Sequence, residues 1–186
     1  RRSILMLLAT ATLVSCGKGE SVSGFASRDN ECILDADRVQ SIDINTLTYV
    51  ALSYRASTAT HAQKFFLSSA ADVYSVQLYA SGSSESQMAL DIVLVNNTGN
   101  IELPDGTTGT TIATAYIEER TLSQTRDWVS FVFPEFVAIP QNLAYWLRFL
   151  PDMSNILVGV AEGANFATLE DEGWSISSTK MAAFRF

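Results

Sequence analysis

The chain has 186 residues, which suits one folded domain with terminal appendages, and its 12 basic and 20 acidic residues give a formal net charge of −8 at pH 7. Nucleic-acid-binding proteins concentrate Lys and Arg because neutralising phosphates dominates their affinity. This sequence has no basic stripe, so nucleic acid is excluded as a partner. Cys16 and Cys32 suffice for one disulfide on count alone, although a domain of this size needs none for stability.

The N-terminal segment has the pattern of a secretory signal. Residues 1–16 read RRSILMLLATATLVSC, in which two arginines precede an apolar run and a small residue precedes cysteine. The apolar run is too short to span a membrane as a helix. Its last four residues, LVSC, resemble the bacterial lipobox. The resemblance implies a signal peptide helix over residues 1–15, cleavage after Ser15, and a diacylglyceryl group on the sulfur of Cys16.

The segment that follows predicts a tether. Residues 16–40 are rich in Gly, Ser and charged side chains and show no apolar periodicity. We expect them to hold the folded domain clear of a membrane, because two or three acyl chains on Cys16 give stable attachment. Gly17 after the lipidated cysteine implies sorting to the outer membrane or cell surface, within the cell envelope. Cys32 is then an odd thiol without a predicted chemical role.

From about residue 41 the pattern changes to short alternating apolar runs broken by turn formers, which is typical of β-strands. Alternation places Tyr74, Val76 and Leu78 on one face of a strand. The same reasoning gives further inward-facing sets, namely Leu90, Ile92 and Leu94, then Val129, Phe131 and Phe133, then Tyr145, Leu147 and Phe149. Trp128, Trp146 and Arg148 fall on the opposite face.

Turn formers and prolines divide the remaining sequence. Residues 96–111 are dense in Asn, Gly and Thr and predict a long loop or hairpin tip. Strands are expected to resume over 111–117, 128–133 and 143–150, with shorter ones over 157–161, 174–177 and 182–186. Because proline cannot donate to a sheet ladder, Pro134, Pro140 and Pro151 are predicted to mark strand ends.

These elements predict an all-β domain over residues 41–186. The expected architecture is an antiparallel two-sheet β-sandwich, jelly-roll-like, in which two sheets bury alternating residues against one another. A closed barrel is the alternative. Outside the leader, the sequence shows no persuasive helical stripe.

Several segments of this domain carry a resemblance to a known family. In chain order they are AQKFFL (62–67), VYSVQLY (73–79), WVSFVF (128–133), AYWL (144–147) and AAFRF (182–186). Together they resemble the choice-of-anchor domains, bacterial extracellular β-sandwich modules that are similar in outline to carbohydrate-binding jelly rolls. The resemblance implies a noncatalytic module displayed on a cell surface or on a secreted protein.

Conventional catalytic groups are sparse. His61 is the only histidine, and its place before a strand favours a structural role over that of a general base. The acidic runs 118–119 and 170–172 are expected to be solvated, so no enzyme activity and no cofactor are predicted. Calcium is the one ion that the loops suit, through oxygen ligands from Asn100, Asp105 or residues 170–172.

Aromatic residues are the remaining candidates for ligand binding. Sugar rings stack their apolar faces on Trp and Tyr, so Trp128, Trp146 and Trp174 are the predicted ligand-binding residues. Trp174, beside Gly173 in an acidic loop context, is the one most expected to be exposed. The alternative is that all three rings fill the packing of the sandwich.

The sequence therefore predicts a lipid-anchored, noncatalytic module outside the cytoplasm that binds glycan or protein. The alternative is a structural or assembly lipoprotein that docks with another envelope protein. Glycan binding predicts an exposed tryptophan in a groove, whereas assembly predicts a broad apolar patch without a groove.

Overall fold

The computed structural model describes residues 43–55, 58–83, 86–117, 122–152 and 156–186, together with the backbone of two short strands near the N-terminus. The predicted signal peptide, Cys16 and the side chain of Cys32 lie outside the described residues, as does the predicted tether of residues 16–40 apart from these two strands. So do residues 41 and 42, at which the domain is predicted to begin.

The described part of the chain consists of strands, with one 3-10 turn at Ile44–Thr46 and no α-helix. In chain order the strands are β1 (Phe25–Arg28), β2 (Glu31–Asp35), β3 (Thr48–Leu52), β4 (His61–Phe66), β5 (Ala71–Ser81), β6 (Met88–Val95), β7 (Ile101–Glu102), β8 (Thr108–Ile117), β9 (Asp127–Ile139), β10 (Tyr145–Pro151), β11 (Ile156–Glu162), β12 (Phe166–Glu170), β13 (Gly173–Ser177), β14 (Lys180–Ala182) and β15 (Phe184–Arg185).

The strands form one strongly curled sheet in the order β1-β2-β4-β10-β6-β8-β9-β5-β11-β14. All its pairings are antiparallel except the short one between β2 and β4. β12 and β13 extend the sheet beyond β4, while β3 and β15 pair with β11 and β5. Because the sheet curls, its inner face encloses a core in the manner of a sandwich, and the predicted all-β class is confirmed.

The core confirms most of the predicted alternation. Phe131, Phe133, Leu90 and Ile92 are buried in the main cluster, and so are Tyr145, Leu147 and Phe149 of β10. Across the cluster, the rings of Phe65 and Tyr145 stack at 5.5 Å between centroids. Alternation works here because successive side chains of a strand point to opposite faces of the sheet.

The prediction for Tyr74 was wrong, and a bulge is the reason. Between the pairs Val73–Val137 and Ser75–Val132, four residues of β9 oppose Tyr74 alone. Both Val73 and Val76 are therefore buried, whereas Tyr74 is 51% exposed. An irregular insertion shifts the phase of every side chain beyond it, and the sequence pattern does not show where this occurs.

The same bulge explains why Pro134 does not end a strand. Pro134 lies inside β9, among the four residues that have no partner on β5. Its missing N–H removes no ladder hydrogen bond there. Pro140 follows the last residue of β9 and Pro151 is the last residue of β10, as predicted.

The predicted loop at 96–111 is a cover for the outer face of the sheet. It contains the short strand β7 and a turn, and it enters β8 at Thr108. Leu103 of this loop is buried against Trp146 and Val93 in a second cluster. The loop is held down by an ion pair between Lys64 Nζ and Asp105 Oδ2, 3.3 Å apart.

One side chain links two strands that are not neighbours in the sheet. Gln63 of β4 is fully buried, and its Nε2 donates to the carbonyl oxygens of Lys64 (2.9 Å) and Ala164 (3.0 Å). Its Oε1 accepts the backbone N–H of Ala182 on β14 at 2.8 Å. The amide side chain thus connects β4 with β14, between which the described residues form no strand pairing.

Candidate binding cleft

β8 and β9 are neighbours in the sheet but pair over only two residues. Tyr116 and Ile117 lie opposite Val132 and Phe131. Beyond these pairs the strands separate, because the rest of β8 follows β6 and the rest of β9 follows β5. The separation opens a cleft of about 620 Å³, which we call the β8–β9 cleft.

The mouth of the cleft carries exposed apolar side chains. Phe136 is 72% exposed and Tyr116 is 58% exposed, and both line the cleft with Ile112 and Leu143. Phe133 and Tyr145, which belong to the core, form its floor. An apolar recess with exposed rings at its rim is a typical ligand-binding surface.

Bulges shape both walls. On β9, the four-residue bulge at 133–136 projects Phe136 outward, where its ring meets that of Tyr74 at 5.3 Å between centroids. On β8, Ile112 is the extra residue between Thr111 and Ala113, which pair with Val93 and Ile92 of β6. Bulges re-aim side chains, and they are over-represented next to functional sites.

The electrostatics of the cleft are simple. Among the described residues that line it, Glu135 is the only charged one, and the other polar groups are the hydroxyls of Thr114, Tyr116 and Tyr145. Asp72, at the start of the neighbouring strand β5, adds a second carboxylate close to the end of β9, where it pairs with Ala138. The cleft is therefore apolar with a negative rim.

The predicted ligand-binding tryptophans lie elsewhere. Trp146 is fully buried beneath the 96–107 loop, and Trp174 is half-buried against the same cluster. Trp128 lies on β9, apart from the other two tryptophans. The Arg185 guanidinium is 4.3 Å from its ring centroid, and the ring of Tyr79 packs edge-on against it at 5.5 Å between centroids. Trp146 and Trp174 are thus brought together and Trp128 is not, while ligand binding by any of them stays a prediction.

The outer face beneath the loop also contains buried polar groups. Arg148 Nη2 donates to Asp91 Oδ2 at 3.0 Å, and Thr114 Oγ1 donates to Asp91 Oδ1 at 2.7 Å. Within the described residues, the indole Nε1 of Trp146 and the Nε of Arg148 have no hydrogen-bond partner. Neither residue lines the β8–β9 cleft.

The groups considered for calcium and catalysis are dispersed. Asp105 is engaged by Lys64 and Thr107, Asp171 pairs with Arg55 at 3.1 Å, and Asn100 is exposed. In the described ranges, no three His, Cys, Asp or Glu side chains converge to hold a metal ion. Structural calcium therefore stays a prediction, for which the described residues bring no ligand set together.

His61 and Asp105 are among the ionisable groups whose pKa values are shifted by their surroundings. Burial lowers the pKa of His61 to about 4, and its Nδ1 lies 3.1 Å from Thr60 Oγ1. Burial raises the pKa of Asp105, but hydrogen bonds from Thr107 and the Lys64 ammonium outweigh it and bring the pKa below the ordinary value. Both groups serve packing or loop attachment, and neither lines the β8–β9 cleft.

The cleft residues Ile112, Tyr116 and Phe136, and Tyr74 beside them, were missed from the sequence. One signal for them is present in FVFPEF (131–136), where Phe136 falls out of phase with Phe131 and Phe133 after an intervening proline. An aromatic residue that breaks alternation within a strand indicates a bulge or an outward ring.

No family model matches the chain, and none of the curated proteins compared with it matches either. The resemblance to choice-of-anchor domains therefore stays a prediction. A search of the described residues for a helix long and apolar enough to cross a membrane finds none.

Proposed function

We propose that this protein is a noncatalytic binding module, anchored to the cell envelope by lipid on Cys16, that holds a protein ligand in the β8–β9 cleft. The observation that carries the proposal is the group of exposed apolar side chains at the mouth of the cleft, led by Phe136 and Tyr116. Burying one such side chain contributes about 1.5–3 kcal/mol, so a partner that covers several gains substantial affinity.

The chemistry of the cleft favours a protein over a glycan. Sugars need several polar side chains for their hydroxyl groups beside an aromatic platform, and the polar groups that line the cleft are Glu135, Thr114 and the hydroxyls of Tyr116 and Tyr145. The hydroxyls of Thr114 and Tyr145 already donate to Asp91 and to the Pro140 carbonyl oxygen, so Glu135 and Tyr116 are the groups left for a ligand. None of the three tryptophans is among the lining residues. Apolar side chains of a protein need fewer polar partners, which is why the recess suits them better.

A docking role in envelope assembly is the second candidate, and the same residues favour it. Phe136 and Tyr74 form an outward aromatic pair beside the cleft, which extends the apolar surface onto the neighbouring strand. Such a surface is suited to a permanent partner in the envelope as well as to a transient ligand. The two roles differ in the lifetime of the complex.

The noncatalytic part of the proposal rests on composition. The chain has a single histidine, and that residue is buried in β4, away from the cleft. Anchorage and an envelope location rest on the lipobox-like LVSC sequence.

Binding can be tested by screening the full chain, in mild detergent, against a random linear-peptide phage library and a glycan array. We expect enriched peptides whose affinity falls at least about tenfold in Phe136→Ser, because the variant removes the burial of one Phe side chain. Tyr54→Ser is the matched control, since Tyr54 is also exposed but does not line the cleft. Ligands that bind the Phe136→Ser variant and the wild type equally would refute the assignment of the cleft.

A further inference from the structure

The two strands that border the β8–β9 cleft each present an edge without a backbone partner among the described residues. On the side facing β9, β8 pairs with β7 through Thr108 and Gly109 and with β9 through Tyr116 and Ile117. Residues 110–115 between these pairs have no strand opposite them on that side. Likewise, β9 has no partner toward β8 beyond Val132. Unpaired strand edges carry N–H and C=O groups ready to accept another strand.

The gap in β8 is bounded at both ends by strands that already use this edge. β7 occupies one end and β9 the other, both antiparallel. The edge therefore pairs with other strands at both ends, and its middle, which contains the bulge at Ile112, has no strand opposite it among the described residues. Six residues of β-strand span about 20 Å, which is enough for a specific peptide contact.

Residues 110–115 of β8 lack the side chains that usually prevent an edge strand from pairing with another chain. Residues 110–115 read TTIATA, with no charged residue and no proline. Natural edge strands are usually shielded by such residues, because an exposed uncharged edge invites pairing with another chain. The opposite wall, which contains Pro134 and Glu135, is shielded in this way. The preferred pairing edge is therefore that of β8.

The charges around the cleft restrict the ligand further. The lining residues include Glu135 but no Lys or Arg, and Asp72 lies beside the end of β9. The whole chain carries a formal charge of −8. A segment with a basic side chain is attracted to such a rim, and an acidic segment is repelled.

Building on the proposed function, we infer that the ligand is an extended polypeptide segment with apolar and basic side chains, which pairs as an added strand with residues 110–115 of β8. Backbone hydrogen bonds supply part of the affinity, and alternate side chains of the ligand enter the recess between Leu94 and Phe133. This mode explains why a cleft with so few polar side chains can bind a polar backbone.

The test uses a peptide enriched on the full chain in the phage screen, synthesised as a series with one backbone N-methyl group at successive positions. N-methylation removes one donor and blocks pairing on that side. We expect at least about tenfold weaker binding at every second position and little change between them, because successive residues of a strand point their N–H groups to opposite sides. Amide exchange within residues 110–115, followed by NMR, should slow at alternate residues when the peptide binds.

The charge requirement is tested with Glu135→Gln, which keeps the shape of the side chain. We expect a basic peptide to bind the variant about threefold more weakly at low salt and almost equally at high salt, because the salt screens the attraction. Glu170→Gln, which changes a carboxylate on β12 outside the cleft, is the matched control.

Failure of this inference can be told apart from failure of the proposed function. Peptides that require Phe136 but show no alternation on N-methylation would overturn strand addition and leave the cleft as a protein-binding site. A glycan that requires Phe136 would also overturn it. A concentration-dependent dimer that Phe136→Ser dissociates in analytical ultracentrifugation would make a second copy of the chain the occupant. If nothing binds in a Phe136-dependent manner, both proposals fail.

Discussion

Trp146 and Phe136 have opposite environments in this fold, although each is a large aromatic side chain within a strand. Trp146 faces away from the main core, yet it is completely buried because the 96–107 loop folds over it. Phe136 follows two core phenylalanines of β9, yet it is exposed because a bulge intervenes. At the scale of single residues, exposure therefore depends on local irregularities and covering segments as much as on residue type.

His61 should make stability depend on pH between about 6.5 and 4. Burial lowers its pKa from 6.5 to about 4 in the folded chain, so in this range the unfolded chain binds a proton that the folded chain does not. Stability then falls as the pH falls, by about 3 kcal/mol over the whole range. Urea unfolding at pH 7 and pH 4 measures this loss of stability. The loss should be about 3 kcal/mol smaller in His61→Gln than in the wild type. Equal losses in the two proteins would contradict this account, since carboxylates titrate in both.

At the scale of elements, the loop between β6 and β8 acts as a lid on the outer face of the sheet. Leu103 supplies its apolar contact, and Asp105 attaches it to Lys64. Thr107 fixes the carboxylate of Asp105 through its N–H (3.2 Å) and its hydroxyl (2.6 Å). Gly99 lies so close to Gly109 that a Cβ on Gly99 would overlap the Gly109 carbonyl group. Glycine is required where two backbones approach this closely.

Asp105→Ala should loosen this lid. The substitution takes the carboxylate away from a Lys64 side chain that is only 9% exposed, so we expect about 1–3 kcal/mol lower stability and faster hydrogen exchange of the Trp146 indole N–H. Because the pKa of Asp105 lies below its ordinary 3.8, the stabilisation is present above that pH and is lost as the pH falls through the folded pKa.

Asp171→Ala is the control for the lid, since Asp171 pairs with Arg55 in full contact with solvent. It should leave both stability and indole exchange unchanged. If Asp105→Ala and Asp171→Ala behave alike, the ion pair does not attach the lid. Adding Lys64→Met to Asp105→Ala should recover part of the lost stability, because the buried charge is then removed.

At the scale of the whole molecule, one curled sheet serves as both layers of the sandwich. The amide of Gln63 connects β4 with β14, and the sheet opens where β8 and β9 separate. The buried hydrogen bonds of Gln63 stabilise the curled arrangement, and the separation of β8 from β9 provides the recess. The cleft is thus a consequence of how the sheet is curled, and no single strand contains it.

The lipid anchor proposed at Cys16 also belongs to the scale of the whole molecule, and it is tested by Cys16→Ser. We expect radiolabelled palmitate to be incorporated into the wild-type chain in bacterial cells and not into the variant, because only a cysteine thiol accepts the diacylglyceryl group. The wild type should fractionate with membranes, since multiple acyl chains give stable attachment. Cys32→Ser is the matched control and should change neither property. Label that persists in Cys16→Ser would refute lipidation at this residue.

The sequence by itself determined the all-β class, most strand positions and the inward faces of β6, β9 and β10. These features follow from local alternation, which depends only on the two-residue period of a strand. It also indicated the loop at 96–111, because turn formers act locally.

Only the tertiary structure decided the exposure of Tyr74, the burial of Trp146, the passage of β9 through Pro134 and the existence of the β8–β9 cleft. Each depends on which strands become neighbours and where their registers slip. Pairing between residues distant in sequence is set by the packing of the whole sheet, and no periodicity within one segment encodes it.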